Sequence, residues 1–204
     1  MSQLPQTPLT RVRRAAKRAD YDRETVHAIL DEAHACHIAF SVDGQPHCIP
    51  TAHWRVDDVL YIHGSNGSRL LRELAKGIPA SVCVTLVDGL VMARSAFSHS
   101  MNYRSVVLYG QFLPVEDEAE AWASLEAFME HLAPGRWKEV RQPSPQEMAA
   151  TTLLALPIEQ AVAKVRSGPP VDDEADLDWP VWAGVWPLET RLGTPQPHQV
   201  ETAV

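Results

Sequence analysis

The residues best suited to chemistry in this chain lie in one run, Tyr61-Ile62-His63-Gly64-Ser65-Asn66-Gly67-Ser68-Arg69. An apolar strand end passes there into a glycine- and hydroxyl-rich turn and then into a helix. Gly64 and Gly67 permit backbone angles that aim successive N–H groups at one point, and Ser65, Asn66 and Ser68 add side-chain donors. Arg69 brings a full positive charge to a helix start, an end that already favours anions. Capture of a phosphate is the chemistry this combination suits. A plain turn before a capped helix uses the same residue types, so the motif alone leaves both open.

His63 adjoins this turn, and an imidazole titrates close to neutral pH. It could orient or protonate a substrate, or merely bond the turn backbone. Arg104 supplies a second basic group, for an anion or for an ion pair with a carboxylate. His34, Cys36 and His37 are close in sequence, but a helix-to-strand junction points them apart and no second ligand pair accompanies them, so no metal site is expected.

These residues need a scaffold, and 204 residues with 45% hydrophobic content suffice for one domain with a sizeable core. A formal charge of −8 argues against a general nucleic-acid binder. The three cysteines, Cys36, Cys48 and Cys83, lie in apolar strand-like runs and read as buried thiols in a reducing compartment. No apolar run approaches a membrane span and no secretion signal is visible, so a cytoplasmic location without membrane contact is expected.

Residues 1–20 read as a basic, solvated arm, carrying Arg11, Arg13, Arg14, Lys17 and Arg18. From Asp22 a capped helix is expected, with Val26, Ile29, Leu30 and Ala33 on one face. Short apolar runs then alternate with turn signals: Asp43-Gly44, Asp57-Asp58 and Asp88-Gly89 each predict a hairpin. One short helix, Ser68 to Lys76, interrupts them before Gly77 and Pro79. Many strands with one inserted helix predict a mainly β (α+β) fold, a closed or partly closed antiparallel barrel with flanking helices. Further helices are expected over 117–132, with Ala121, Leu125, Phe128 and Leu132 on one face, and from the capping box Ser144-Pro145-Gln146-Glu147. Residues 153–165 supply a last strand, with Pro157 marking an edge or a bend. An acidic run from Asp172 to Asp178 reads as solvated, whereas Trp179, Trp182 and Trp186 should cover something apolar. Residues 189–204 show no periodicity and read as a disordered tail.

Six segments, in order, resemble the FMN-binding split-barrel family related to pyridoxamine 5′-phosphate oxidase, in the branch that includes nitroimidazole-resistance-type proteins. They are PHCIPTAHW (46–54), LYIHGSNGSRLL (60–71), DGLVMARSAFSHSMNYRSVVLYG (88–110), PGRW (134–137), KVRSGPP (164–170) and WAGVWPL (182–188). The resemblance spans residues 21–188 as one Greek-key split-barrel domain. It implies FMN as cofactor, a homodimer with FMN at the subunit interface, and an oxidoreductase acting on a small or flat substrate. By the same resemblance the strand from His47 through Ile49, Pro50, Thr51 and Ala52 lines the flavin ring, and Gly64, Ser65, Ser68, Arg69 and Leu70 surround its phosphate. Arg104 and Ser105 face the cofactor, Trp182 covers it, and His63 stands beside it as the one catalytic candidate.

Leu70 occupies the place where true pyridoxamine phosphate oxidases carry a second basic residue, and their substrate-holding C-terminal residues are not recognisable, so the resemblance extends to FMN and not to vitamin B6 oxidation. Two alternatives remain at this stage. One is a non-catalytic flavin-binding protein; the other is a haem-binding split barrel with His63 or His99 as axial ligand.

Overall fold

The structure is a computed structural model and describes residues 2–198. Its strand register is set first by two-residue turns. Asp43 and Gly44 both take positive φ, 51° and 78°, and fold β2 (Ala35–Val42) onto β3 (Gln45–Ala52). The pairing places Cys36 opposite Thr51, Ile38 opposite Ile49 and Phe40 opposite His47. Cys36, Ile38 and Phe40 are buried, so His47, Ile49 and Thr51 share the core-facing side while Cys48 and Pro50 point outward. Asp57 (φ 49°) likewise closes β4 (Trp54–Val56) onto β5 (Val59–Ser65).

Two antiparallel sheets result. The first runs β1 (Ala19–Asp20), β10 (Gln160–Arg166), β7 (Ser100–Gln111), β6 (Pro79–Met92), β2, β3; the second runs β4, β5, β9 (Thr151–Pro157), β8 (Leu113–Pro114). The chain crosses between them at His53, over residues 66–78, at Phe112 and at Ile158-Glu159. Ile38, Val82, Val106 and Leu108 of the first sheet share one buried cluster with Leu60, Ile62, Leu154 and Leu156 of the second. Each such side chain contributes about 1.5–3 kcal/mol by leaving water. Helix α1 (Arg23–Glu32) adds Val26, Ile29 and Leu30, and α2 (Arg69–Leu74) adds Leu70, Leu71 and Leu74. This is a split β-barrel.

Helix α3 (Glu118–Leu132) packs on Trp54, whose Nε1 donates to Ser124 Oγ at 3.0 Å and whose ring meets Phe128 at 4.6 Å. Ser124 is buried there; of the expected apolar stripe Ala121 and Phe128 pack on the Trp54 cluster, while Leu132 is exposed. Helix α4 (Pro145–Ala149) opens on the expected capping box, with Ser144 Oγ accepting from Glu147 N at 3.2 Å and Glu147 Oε2 from Ser144 N at 2.7 Å.

Several expectations change. The N-terminal segment is not a solvated arm: Leu4 is buried in the main core, Thr10 Oγ1 donates to Pro5 O, and β1 pairs with β10. Arg11, Arg13, Arg14 and Lys17 stay outside while Leu4 reaches the core; Leu9 remains exposed. The single strand expected over 153–165 is two, β9 and β10, bent apart at Pro157 and so placed in different sheets.

The chain divides into two compact units. Residues up to Val87, with Asn102–Ser167, form the barrel described above; Asp88–Met101, with the residues from Gly168 onward, form the second. Within the second unit Asp88-Gly89 makes no turn, because β6 runs straight through it and Gly89–Met92 pair with β11 (Gly184–Pro187). A Cβ on Gly89 would lie 2.9 Å from Trp186 O, so glycine serves close approach there, not a bend. Trp186 therefore lies in a strand, stacked on Trp182 with ring centroids 5.5 Å apart. Asp172 is not simply solvated: its carboxylate accepts from Arg94 N at 2.8 Å and from Arg94 Nη1 at 2.7 Å, contacts that hold its pKa below the usual carboxylate range. Residues 189–198 form no helix or strand; the rest of the expected tail, 199–204, lies outside the described residues.

His53 at the first crossover is fully buried, and its Nε2 contacts Leu30 O at 3.0 Å. Burial pushes its pKa down to about 4. The unfolded chain therefore binds the proton more readily between pH 6.5 and 4. Stability should be fully present above pH 6.5 and fall by up to about 3 kcal/mol as pH drops through that window. Urea denaturation at pH 7.5 and 4.5 should show this loss, and His53→Gln should reduce it, the remainder coming from His63 and the other histidines whose pKa burial lowers. Gly89→Ala should loosen β11 by about 1–3 kcal/mol, read as faster hydrogen exchange in 184–187 with the barrel amides unchanged.

Candidate functional site

The side chains that meet at the start of β3 are an aromatic pair and a guanidinium. His47 stacks on Phe40, with centroids 5.2 Å apart, and its Nε2 lies 3.0 Å from Arg69 Nη2. A guanidinium has no lone pair to offer, so Arg69 donates and His47 accepts as a neutral imidazole protonated at Nδ1. Arg69 has no carboxylate in ion-pair range among the described residues, whereas Arg23, Arg55, Arg94, Arg104, Arg136 and Arg141 each have one. Arg69 is also exposed. A basic group that the fold leaves uncompensated at an exposed strand end is suited to an anion. β3 is the last strand of its sheet.

The glycine-rich turn differs in detail from a phosphate nest. Gly64 lies inside β5 opposite Thr152, and neither Gly64 nor Gly67 takes a positive φ. The turn is held instead by its own side chains. Ser65 Oγ accepts from Gly67 N at 3.2 Å, Asn66 Nδ2 donates to Ala149 O at 2.8 Å, and Thr152 Oγ1 donates to Asn66 Oδ1 at 2.7 Å. Ser68 precedes α2 without a side-chain cap. The Leu70 side chain is buried in the core together with that of Leu71, the next residue of α2, so only the Leu70 backbone faces the turn's open side as a contact candidate.

Of the other sequence candidates, Ile49 packs partly against the core, leaving Pro50 outward and Thr51 and Ala52 half-buried. Arg104 is held by Glu32: its Nη2 donates to Glu32 Oε1 at 2.7 Å and its Nη1 to Oε2. The ion-pair alternative is the one realised. Ser105 Oγ donates to Lys164 O at 3.2 Å. Trp182 belongs to the second unit, more than half exposed.

His63 does not bond the turn backbone. Its ring lies 5.4 Å from that of Trp54 and 4.8 Å from that of Phe128, and its buried Nδ1 has no hydrogen-bond partner. Burial lowers its pKa, which favours the neutral ring. With Phe128, Met129, Trp137, Arg141 and Met148 it lines a cavity of about 380 Å³. Sequence reasoning missed this group because Met129 and Met148 lie on separate helices 19 positions apart, and only the packing of α3 and α4 near β5 and β9 joins them. Phe40 and Glu32 were missed likewise; the Asp43-Gly44 register would have paired Phe40 with His47. His99 Nδ1 lies 2.9 Å from Ser95 O in the second unit. No cluster of three metal-ligating side chains occurs among the described residues, and no helix there is long and apolar enough to cross a membrane.

These features define the protein's class: a split-barrel protein with an anion-competent strand end and a separate histidine-lined cavity. The chain belongs to the pyridoxamine 5′-phosphate oxidase family, whose pattern matches residues 22–165. The flavocytochrome Anf3 from Azotobacter vinelandii is 39% identical over 97% of this chain and 92% of its own, with a TM-score of 0.89. An FAD and heme binding protein from Mycobacterium smegmatis is 38% identical over 92% of this chain and 93% of its own, with a TM-score of 0.86. A putative 5-nitroimidazole antibiotic resistance protein from Bacteroides thetaiotaomicron shares the fold at 22% identity, covering 72% of this chain and 86% of its own, with a TM-score of 0.57. No curated protein matches the sequence.

Proposed function

We propose that this protein binds a flavin along β3, with the flavin phosphate held by Arg69 and His47, and serves as an oxidoreductase for a small or flat substrate. The observation that carries this reading is the uncompensated Arg69 guanidinium, bonded only to a neutral imidazole beside an edge strand. It gains weight from two relatives at 38–39% identity whose names include a flavin or a flavocytochrome. FMN and FAD both present the required phosphate, and the FMN expected from the sequence satisfies the anchor. Ser65 and Ser68 add hydroxyls beside it, and the free edge of β3 from Ile49 to Ala52 supplies backbone donors and acceptors for a polar ring edge. When bound, the flavin supplies the redox chemistry; the protein binds, orients and shields it. His63, whose neutral form is favoured by burial, would orient a substrate through a hydrogen bond. A second copy of the chain would complete the site across β3, and the three free thiols fit a reducing cytoplasm.

A second reading, that the protein also holds haem, is favoured by the cavity around His63 and by the names of the same two relatives. The donor set fits: a neutral imidazole with an unpartnered nitrogen, the Met129 and Met148 thioethers, and apolar walls from Leu125, Phe128 and Trp137.

Arg69→Ala should weaken FMN and FAD binding by about 1.5–3 kcal/mol and leave riboflavin, which has no phosphate, unaffected in fluorescence titrations. Equal losses for all three would remove Arg69 from the phosphate. Gly67→Val, at an ordinary backbone angle, should keep full flavin affinity. Haemin added to the protein should develop a sharp Soret band that His63→Ala shifts or abolishes; an identical band in the variant would exclude His63 as ligand.

A further inference from the structure

A cavity of about 770 Å³ opens in the barrel at the end where β3 begins. Leu9 of the N-terminal segment lines it, with Phe40 of β2, Ala80 of β6, Tyr109 of β7 and Leu113 of β8. The volume falls in the range of small-molecule sites, about 300–1,000 Å³. Gly110 keeps space in the wall, since a Cβ there would lie 2.7 Å from Leu156 Cδ1, another lining atom.

The rim of this cavity is apolar and uncovered. Among the described residues of the barrel unit, Leu9 (57% exposed) and Leu113 (54%) are the most exposed large apolar side chains, and both line it. Leu9 is not exposed through fraying. Thr10 Oγ1 accepts from Thr7 N at 2.8 Å, and Thr7 Oγ1 donates to Gln160 Oε1 at 3.1 Å, so the turn that carries Leu9 is fastened to β10. A fixed leucine held in water gains free energy when an apolar body covers it.

Charge says which apolar body. Glu159 is the one charged side chain that lines the cavity among the described residues, and it has no ion pair there. No lysine or arginine lines it, and His47 is neutral where it accepts from Arg69. An anion entering this space would meet a carboxylate and no compensating cation. Glu159 directly precedes Gln160, the partner of Tyr109 in the β7–β10 pairing, so a carboxylate and an aromatic ring border the same corner. Both attract a cation, the carboxylate by its charge and the ring by its quadrupole.

We propose that this cavity binds a small organic cation, an ammonium carried on a flat or branched apolar body. The body covers Leu9 and Leu113, and the charge lies by Glu159 and the Tyr109 ring. The site stands apart from the flavin reading and holds whether or not a flavin occupies β3.

The test is calorimetric titration of the full chain with three probes that share one ring system and differ in charge: naphthylmethylammonium, naphthylmethanol and naphthoate. Wild type should bind the ammonium roughly five- to tenfold tighter than the alcohol, and naphthoate weakest. Glu159→Gln should bring the ammonium down to the level of the alcohol without changing the alcohol, which also shows that the variant is folded. Leu113→Ser, at an exposed position, should weaken both by roughly fivefold. Equal affinity for ammonium and alcohol in wild type, or a preference that survives Glu159→Gln, would overturn the cation assignment. Binding that Leu113→Ser leaves unchanged would lie elsewhere on the chain and overturn the site, as would failure of the ammonium to bind.

Discussion

The barrel depends on one constraint: two sheets must bury their apolar faces against each other, and the chain must cross from one to the other without exposing that seam. His53 and Trp54 make the first crossing. His53 contacts the Leu30 carbonyl and so fastens the end of α1, while Trp54 donates to Ser124 and stacks against Phe128, fastening α3. Neither residue can be exposed without losing a helix from the wall. Both features proposed to carry function hang from this seam, the His47–Arg69 anchor at one end of β3 and the His63 cavity near the other.

Arginines of the barrel differ in whether the fold gives them a carboxylate, and Arg69 is one that it does not. Arg104 shows the contrast. It sits on a strand that resemblance assigns to the cofactor, yet Glu32 at the end of α1 reaches it and closes a bidentate pair. Arg69 begins a short helix with no carboxylate close enough to do the same, and the histidine it meets is a base without charge. An uncompensated cation at a surface costs little in water and gains most when an anion arrives, which is the property a phosphate anchor requires.

Much of the barrel was legible in the chain. The Asp43-Gly44 and Asp57-Asp58 turns, the α1 stripe and the Ser144 capping box all appear as expected, because each is decided within a few residues by backbone angles or a local hydrogen bond. Asp88-Gly89 failed under the same rule. Its turn chemistry was overridden by pairing with Gly184–Pro187, nearly a hundred residues later, and glycine there answers to the approach of the Trp186 backbone. The opening glycine-rich turn is intermediate: it stands where expected, but Asn66 and Ser65 shape it through side-chain bonds in place of positive-φ glycines.

The sequence by itself determined the elements, the class of fold and the identity of Arg69 as an anion candidate, since periodicity, turn residues and charge are properties of neighbours. Tertiary structure decided which partners those residues obtain. Arg104 went to Glu32, Leu70 to the core, His47 to Arg69 and Phe40, and His63 to a cavity with two methionines from different helices. These outcomes depend on contacts between segments tens of residues apart, where free energy is set by packing and desolvation of the assembled barrel and not by any local preference.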